Sequence, residues 1–366
     1  MKAIREILAG AVVIALAVFA GCGGGGNSGG GGGTAGATAY VSFPTGNSIG
    51  VYRVDAKGKF SKVVGSPFAG GNSPSSLLVH PSGKFIYTAN RGSSDISLFT
   101  PDTRTGTLTE VLPRTPTGLT PVSMIFDSGA TSLYVANQGG STISVFSINS
   151  SSGALAEVAG SPFLTDRNPS GLALSRSGGF LFVANVNLNS ISVLSVTSTA
   201  PFLQPVAGSP FPVRGTGPTA LAVGASDHFL YVANSLSNNV SVLSIAADGS
   251  LSEPLASPIA TGTGPLWLTL SSSGSFLYTA NFGASNVSGF SVDANTGLLT
   301  ALDKSPYAAG SGPVFSVISP GGDMLFVGNQ TGKTISHFGI KSDGTLTTST
   351  DTTASGSSPA ALAFTR

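Results

Sequence analysis

Charged residues are scarce in this sequence of 366 residues. Lys, Arg, Asp and Glu make up 9% of it, and 17 basic and 16 acidic side chains give a formal net charge of +1. An average soluble domain has about 25%. Nucleic-acid binding requires a surface of clustered Lys and Arg, so the composition excludes that class of partner. Long solvated helices, which are rich in Glu, Lys and Ala, are disfavoured on the same ground.

Cysteine and histidine are nearly absent. With Cys22 as the single cysteine, a disulfide framework is excluded, and so are Cys-rich zinc and iron–sulfur sites. The three histidines, His80, His228 and His337, lie far apart in the sequence. We therefore expect no metal and no cofactor.

The first 21 residues have the pattern of a secretory signal peptide. Lys2 and Arg5 precede an unbroken apolar run from Ile7 to Phe19. That run has 13 residues, and a membrane-spanning helix needs roughly 20. We therefore predict a cleaved export signal over residues 1–21.

Cys22 follows the signal directly and precedes a Gly-rich segment. The Phe19-Ala20-Gly21-Cys22 sequence resembles the bacterial lipobox, which implies that Cys22 is lipidated and becomes the new N-terminus. An ordinary cleaved signal with a chance cysteine is the alternative. Residues 22–39 then form a flexible, uncharged tether. We expect an exported lipoprotein, periplasmic or on the cell surface, with the outer membrane favoured because Gly23 is not the Asp of inner-membrane retention.

From residue 40 onward the sequence repeats a short unit. An aromatic residue, two further residues and Asn recur with starts at 40, 87, 134, 182, 231, 278 and 326, the first copy being degenerate. A second series agrees with this period: Pro74, Pro121, Pro169, Pro218, Pro265, Pro313 and Pro359. A fixed period of about 47 residues predicts a repeat architecture.

Each repeat contains four short runs typical of β-strands. In the best-formed copy they are Ala220–Val223, Phe229–Val232, Val240–Ile245 and the weak Leu251–Pro254. Seven such units predict an all-β fold, a seven-bladed β-propeller of four-stranded blades over residues 40–366. Because the first copy lacks an inner strand and the chain ends on one, we expect the C-terminal strand to complete the N-terminal blade and close the ring.

The repeated units resemble a known family. The Tyr-Val-Ala-Asn units, the Pro81-Ser82-Gly83 turn and the Gly-Ser-Pro-Phe segments look like the seven-bladed β-propeller lactonases, which include 6-phosphogluconolactonases and carboxymuconate cyclising enzymes. They look equally like the YVTN repeats of surface proteins. The resemblance covers about residues 40–366, but its motifs mark blades and not catalytic groups, so it implies the fold more firmly than an activity.

We expect the site at the mouth of the central channel, on the face that carries the Gly-x-x-Pro segments and the loops after each Ala-Asn. Two positions after each repeat proline we expect side chains that face the channel. Five of these seven are small and two are aromatic, Trp267 and Phe315. The pair is a candidate for stacking on a sugar or lactone ring, and the alternative is that the rings only fill the channel.

A few charged residues are expected on the same face. Arg91, Arg167 and Arg214 are candidates for holding an anionic group of a ligand, with solvated loop arginines as the alternative. Asp95 and Asp166 are the remaining candidates for a general base.

The usual acid–base residues fall elsewhere. The resemblance implies a His, Glu and Arg cluster near the channel, but Glu110, Glu157 and Glu253 fall in outer strands, and His80 and His228 fall in turns of the opposite face. The family's catalytic His and Glu therefore have no counterpart that we can identify in this sequence.

Two functions follow from these observations. The first is a cell-envelope binding or scaffold module, a monomer held to the membrane through Cys22, whose uncharged face binds a carbohydrate, a lactone or an envelope protein. The alternative, favoured by the resemblance, is a lactone hydrolase like a 6-phosphogluconolactonase that opens a sugar lactone.

Overall fold

The computed structural model describes residues 37–199, 202–254, 256–347 and 352–365. The predicted signal peptide, Cys22 and the tether up to residue 36 lie outside the described residues. Within the described part, no helix is long and apolar enough to cross a membrane.

The described strands form seven antiparallel sheets, which we call blades I to VII. In chain order the strands of blades I to III are β1 (Ala37–Phe43), β2 (Ser48–Val54), β3 (Phe60–Lys62), β4 (Phe68–Ala69); β5 (Pro74–Val79), β6 (Ile86–Asn90), β7 (Asp95–Pro101), β8 (Leu108–Pro116); and β9 (Pro121–Phe126), β10 (Ser132–Asn137), β11 (Thr142–Ile148), β12 (Leu155–Glu157), β13 (Phe163–Leu164). Those of blades IV and V are β14 (Pro169–Leu174), β15 (Phe180–Asn185), β16 (Ser190–Val196), β17 (Leu203–Pro205), β18 (Phe211–Pro212); and β19 (Pro218–Val223), β20 (Phe229–Asn234), β21 (Asn239–Ile245), β22 (Leu251–Ser252), β23 (Ile259–Ala260). Those of blades VI and VII are β24 (Pro265–Leu270), β25 (Phe276–Asn281), β26 (Asn286–Val292), β27 (Leu299–Ala301), β28 (Tyr307–Ala308); and β29 (Pro313–Ile318), β30 (Met324–Asn329), β31 (Thr334–Gly339), β32 (Thr352–Ala354), before the last strand, β33 (Ala361–Phe364). A short 3-10 helix, Pro44–Gly46, follows β1.

The predicted seven-bladed β-propeller is confirmed, and so is its closure. Each inner strand contacts the inner strand of the next blade around the ring, and β29 contacts β33, which in turn contacts β5. The C-terminal strand β33 pairs antiparallel with β1, with Tyr40 opposite Ala363. The first strand begins at Ala37, three residues before the predicted boundary at residue 40.

The outer strand differs from the prediction. In blade V it consists of two short segments, β22 and β23, which pair with opposite ends of β21, where the sequence suggested one run over Leu251–Pro254. Between the segments the chain bulges, and the Ser257 hydroxyl accepts a 2.9 Å hydrogen bond from the main-chain N–H of Val242. The same bond recurs at four further serines of the bulge: Ser66, Ser161, Ser209 and Ser305. The Ser-Pro segments therefore mark this bulge of the outer strand.

The faces of each blade are buried against its neighbours. The Tyr87 hydroxyl of blade II donates to the carbonyl of Gly153 in blade III at 2.7 Å, and Tyr278 donates to Gly344 in the same way. Both tyrosine rings are fully buried. Burial raises the pKa of Tyr231 to about 12, as expected for a phenol in an apolar environment.

The repeated asparagine ties the second strand of its blade to the third. In blade III, Asn137 Nδ2 donates to the hydroxyls of Thr142 and Ser144 at 3.1 and 2.9 Å. Five other asparagines donate to the residues at the same two positions, where the first acceptor is a hydroxyl, a carboxylate or an amide oxygen and the second is a serine hydroxyl: Asn90, Asn185, Asn234, Asn281 and Asn329. In six of the seven blades the amide of this asparagine therefore links the end of the second strand to the start of the third.

The carbonyl oxygen of this amide has a partner only in some blades. In blades II and VI, Thr88 and Thr279 donate to Oδ1 of Asn90 and Asn281. Valine occupies the position of those threonines in the other four blades that carry the asparagine, and there the buried Oδ1 lacks a partner among the described residues: Asn137, Asn185, Asn234 and Asn329. A buried carbonyl without a hydrogen bond is destabilising.

We therefore expect Thr279→Val to lower the stability of the protein. The substitution removes the 2.9 Å hydrogen bond to Asn281 Oδ1, and the expected loss is about 1 kcal/mol of unfolding free energy. The midpoint of urea denaturation, followed by fluorescence, measures it. Thr279→Ser keeps the hydroxyl and is the control. Val135→Thr, which supplies the missing donor to Asn137, should move the midpoint upward, and a downward shift would contradict this account.

Candidate functional site

One face of the propeller is built from two sets of loops that hydrogen-bond to each other. The loop after Asn90 donates from Arg91 N–H to the carbonyl of Ser73, and from Gly92 N–H to the carbonyl of Asn72, both at 3.0 Å. Ser73 lies in the loop that enters the inner strand β5. The prediction that the Gly-x-x-Pro segments share a face with the loops after Ala-Asn is therefore confirmed. We call this the loop face, and the opposite end the turn face.

The residue after each repeat asparagine lies on the rim of the channel. Its main-chain N–H donates to the carbonyl of the residue just before the repeat proline, at 2.8–3.3 Å in blades II to VII. That proline begins the innermost strand, so these positions encircle the mouth of the channel. With Pro44 of blade I they form what we call the rim ring: Pro44, Arg91, Gln138, Val186, Ser235, Phe282 and Gln330.

Arg91 is the charged member of the rim ring. Its side chain is half-buried, and this burial lowers the pKa of the Arg91 guanidinium from its usual value. A guanidinium that has lost part of its water shell interacts more strongly with an anion or a polarised carbonyl oxygen.

Asp95 lies four residues further on, at the other end of the same turn. Its Oδ1 accepts a 2.6 Å hydrogen bond from Asn90 Nδ2, which fixes the carboxylate beside the loop. Arg114 of the outer strand supplies a positive charge that interacts with Asp95. The pKa of the Arg114 guanidinium is raised mainly by its ion pair with Glu110, at 2.7 Å, and the Asp95 carboxylate raises it further. Arg91 and Asp95 therefore place a cation and a carboxylate on one turn of the loop face.

Two of the predicted site residues lie together in the loop that enters blade IV. The Asp166 carboxylate accepts a 3.1 Å hydrogen bond from the main-chain N–H of Arg167. Asp166 is half-buried and Arg167 is exposed.

Arg214, in the next entry loop, is bound to the neighbouring blade. Its guanidinium Nη1 donates to the carbonyls of Pro254 and Ser257 at 3.0 and 3.2 Å, and its main-chain N–H donates to Glu253. These partners belong to the outer strand of blade V, away from the channel. The expected convergence of Arg167 and Arg214 on one anion does not form here, because the Arg214 guanidinium is held toward the outer strand.

Trp267 and Phe315 are buried in the core, at 5% and 2% exposure. The expectation that their position faces the channel is wrong. Side chains of a strand point to the two faces of its sheet, and in a propeller both faces pack against neighbouring blades. At the equivalent Gly171, an added Cβ would lie 2.6 Å from the carbonyl oxygen of Thr219 in the next blade. The interpretation in which the two rings fill space is therefore the one that their burial favours.

Of the three glutamates expected in outer strands, two lie there, and Glu253 lies just after the short segment β22. Glu110 and Glu157 are in the outer strands β8 and β12. His80 bridges Ser82 of its own turn and the carbonyl of Ala130 in the next blade, on the turn face. Among the described residues, no group of three or more His, Cys, Asp or Glu side chains is placed to hold a metal ion.

The rim ring itself was not identified from the sequence, apart from Arg91. The signal was present, since each member directly follows the last residue of a repeat unit. In blade order these residues are Gln330, Pro44, Arg91 and Gln138, three of which are polar, followed by Val186, Ser235 and Phe282. The series could not be recognised as a possible site until the structure showed that the position borders the channel.

The sequence matches one protein family over nearly all of the described chain. The family described as "Lactonase, 7-bladed beta-propeller" matches residues 33–163, 157–262 and 247–363. No curated protein matches the sequence.

Solved structures of similar fold cover the propeller from end to end. A proposed 6-phosphogluconolactonase of Bacteroides uniformis is 21% identical, with a TM-score of 0.79 over 90% of this chain and 99% of the other. A second one, from Bacteroides fragilis, is 26% identical, with a TM-score of 0.77 over 91% and 98%. The periplasmic gluconolactonase PpgL of Pseudomonas aeruginosa is 21% identical, with a TM-score of 0.74 over 90% and 99%.

We expect Phe315 and Gly328 to be energetically coupled. An added Cβ at Gly328 would lie 2.0 Å from Phe315 Cε1, so Gly328→Ala should destabilise the protein by about 1–3 kcal/mol through overpacking. Phe315→Ala should also destabilise it, by leaving a cavity.

The double variant gives the test. Blade V carries Ala220 opposite Ala233 at the same two positions, so Phe315→Ala combined with Gly328→Ala restores a pairing that the fold already uses. Urea denaturation should show the double variant to be more stable than the sum of the single losses predicts. If the stability losses of the two single variants simply add in the double variant, the Phe315 ring is not the reason why position 328 is glycine.

Proposed function

The chain belongs to the lactonase family of seven-bladed β-propellers, and we propose that it hydrolyses a lactone at the channel rim of the loop face. The observation that carries this proposal is the turn between Asn90 and Asp95, which places Arg91 on the rim and Asp95 at the start of the third strand on the same face. The Bacteroides fragilis protein, at 26% identity over 91% of this chain, supports it.

The proposed reaction needs one electrophilic group and one base. Water adds to the lactone carbonyl carbon, and the Asp95 carboxylate takes the proton that the water loses. The Arg91 guanidinium stabilises the negative charge that develops on the carbonyl oxygen. The ring C–O bond then breaks, the proton passes to the leaving alkoxide, and the product is a hydroxy acid. The atoms balance with one lactone and one water giving one hydroxy acid.

A second candidate is a binding module without turnover. It is supported by the composition of the rim ring, which contains neither His nor Glu and only one charged residue, Arg91. Such a rim would bind a carbohydrate, a lactone or an envelope protein through hydrogen bonds and apolar contact.

We also propose that the protein is exported and anchored through a lipid on Cys22. Support comes from the lipobox-like sequence and from the periplasmic gluconolactonase of Pseudomonas aeruginosa, a protein with this fold. The first described residue, Ala37, lies opposite Val54 at the turn-face end of β1. The proposed anchor would therefore join the propeller at the turn face, which is the end opposite the proposed site.

We expect Asp95→Asn to lower kcat by about tenfold or more, because general-base catalysis contributes factors of that size and above. The substitution keeps the fold, since asparagine occurs naturally at this position in blades V and VI. There the side-chain oxygens of Asn239 and Asn286 accept the hydrogen bond from the amide of the repeat asparagine. The measurement is acid release at constant pH by the full chain in detergent, with gluconolactone, 6-phosphogluconolactone and uncharged lactones.

Two further variants complete this experiment. Arg91→Gln should lower kcat/KM, and Lys84→Gln, an exposed cation on the turn face, should leave both constants unchanged. Turnover that survives Asp95→Asn intact would remove Asp95 from the mechanism. No turnover above the buffer rate on any lactone would favour the binding module.

Cys22→Ser should abolish lipidation. In a bacterial host supplied with a labelled fatty acid, the native chain should carry the label and fractionate with membranes, and the variant should carry none. Gly21→Ala is the control, because it keeps a small residue before Cys22 and should retain the label. Label that persists in Cys22→Ser would refute the anchor.

A further inference from the structure

We propose that the lactone substrate carries an apolar chain, which lies along one half of the rim ring while the lactone group meets the other half. This inference rests on the proposed lactone hydrolysis and specifies its substrate class. It follows from how the residues of the rim ring are distributed among the seven blades.

The polar half of the rim ring spans blades VII, I, II and III. Gln330 and Gln138 flank Arg91 around the rim, with Pro44 between Gln330 and Arg91 in blade order. All four side chains are half-buried. Two amides and a guanidinium provide donors for a carbonyl or carboxylate oxygen, so the lactone group belongs on this side.

The apolar half spans blades IV to VI. Val186 is 7% exposed, and Phe282 is half-buried and packs against the core. Its ring reaches the entry loop of blade VII, where an added Cβ at Gly312 would lie 3.0 Å from Phe282 Cε2. Ser235 between them is fully buried, and its hydroxyl donates to the carbonyl of Gly217 at 3.0 Å. The Ser235 hydroxyl is therefore already hydrogen-bonded to the main chain and does not make this half of the rim polar.

Two exposed leucines extend this half outward over the loop face. Leu188 is 46% exposed and Leu236 is 40% exposed, and each lies two or fewer residues from a member of the rim ring. Leu236 is held in place by its packing on Gly217, where an added Cβ would lie 2.7 Å from Leu236 Cγ. We call these two leucines, together with the half-buried Phe282 and the buried Val186, the apolar arc.

The apolar arc does not suit a phosphorylated sugar. A phosphate needs clustered cations or donors, and Arg91 is the single charged member of the rim ring, while Arg214 is bound to Pro254 and Ser257. Sugar hydroxyls placed against the apolar arc would lose hydrogen bonds to water without replacement. An alkyl chain loses none, and each methylene that it buries there contributes about 0.8 kcal/mol.

The test compares lactones that differ only in chain length. The full chain is assayed by acid release, at fixed detergent concentration, with γ-butyrolactone, γ-octalactone and γ-dodecalactone beside gluconolactone and 6-phosphogluconolactone. We expect kcat/KM to rise by about tenfold or more from γ-butyrolactone to γ-octalactone, as burial of two or more methylenes implies. The double variant Leu188→Ser with Leu236→Ser should lose most of this gain, so that the ratio of kcat/KM for γ-octalactone to that for γ-butyrolactone falls toward one.

Leu112→Ser is the matched control. Leu112 is 69% exposed but lies in the outer strand β8, so its loss should leave the chain-length dependence intact. Since all variants are measured in the same detergent, partition of the lactones into micelles cancels between them. Hydrolysis that does not depend on chain length, or that prefers 6-phosphogluconolactone, would overturn this inference and leave the proposed function standing. No hydrolysis of any lactone would overturn both.

Discussion

A four-stranded sheet that is apolar on both faces can be buried only between two other sheets. Every blade of this protein is of that kind, so no blade has a core of its own and the stability of each depends on its neighbours. The ring must therefore close, and the pairing of β33 with β1 closes it. Because both faces of a blade are used in this way, the large side chains of the inner strands serve packing. Trp267 and Phe315 are examples, buried between blades and not exposed at the channel mouth.

The rim of the channel is fixed by hydrogen bonds that do not depend on its side chains. The repeat asparagine crosslinks the second and third strands, and the next residue donates its main-chain N–H to the entry loop. Side chains at that next position can therefore differ from blade to blade, and they do, from Arg91 to Phe282. Side chains that vary on a constant main-chain framework are what a binding site on a repeat scaffold requires.

The chemistry proposed for the loop face needs few groups. A lactone is an activated ester in a ring, and its hydrolysis requires a polarised carbonyl and a means of removing one proton. In the proposed mechanism Arg91 and Asp95, at the two ends of one turn, supply these, and the Asn90 amide donates a hydrogen bond to the Asp95 carboxylate. The same asparagine thus serves both the architecture and the proposed site.

The sequence alone determined the number of blades, their strand order and the closure of the ring, because these depend on periodicity and on which strand is missing at each end. It also placed Glu110 and Glu157 in outer strands and Arg91 on the loop face, since strand order fixes such positions. It did not determine which way the inner-strand side chains point, because that depends on how neighbouring blades pack, and so Trp267 and Phe315 were misplaced. Nor did it show that Arg214 turns outward to Pro254 and Ser257, or that seven residues far apart in the chain border one channel. Those facts depend on contacts between blades, which exist only in the closed ring.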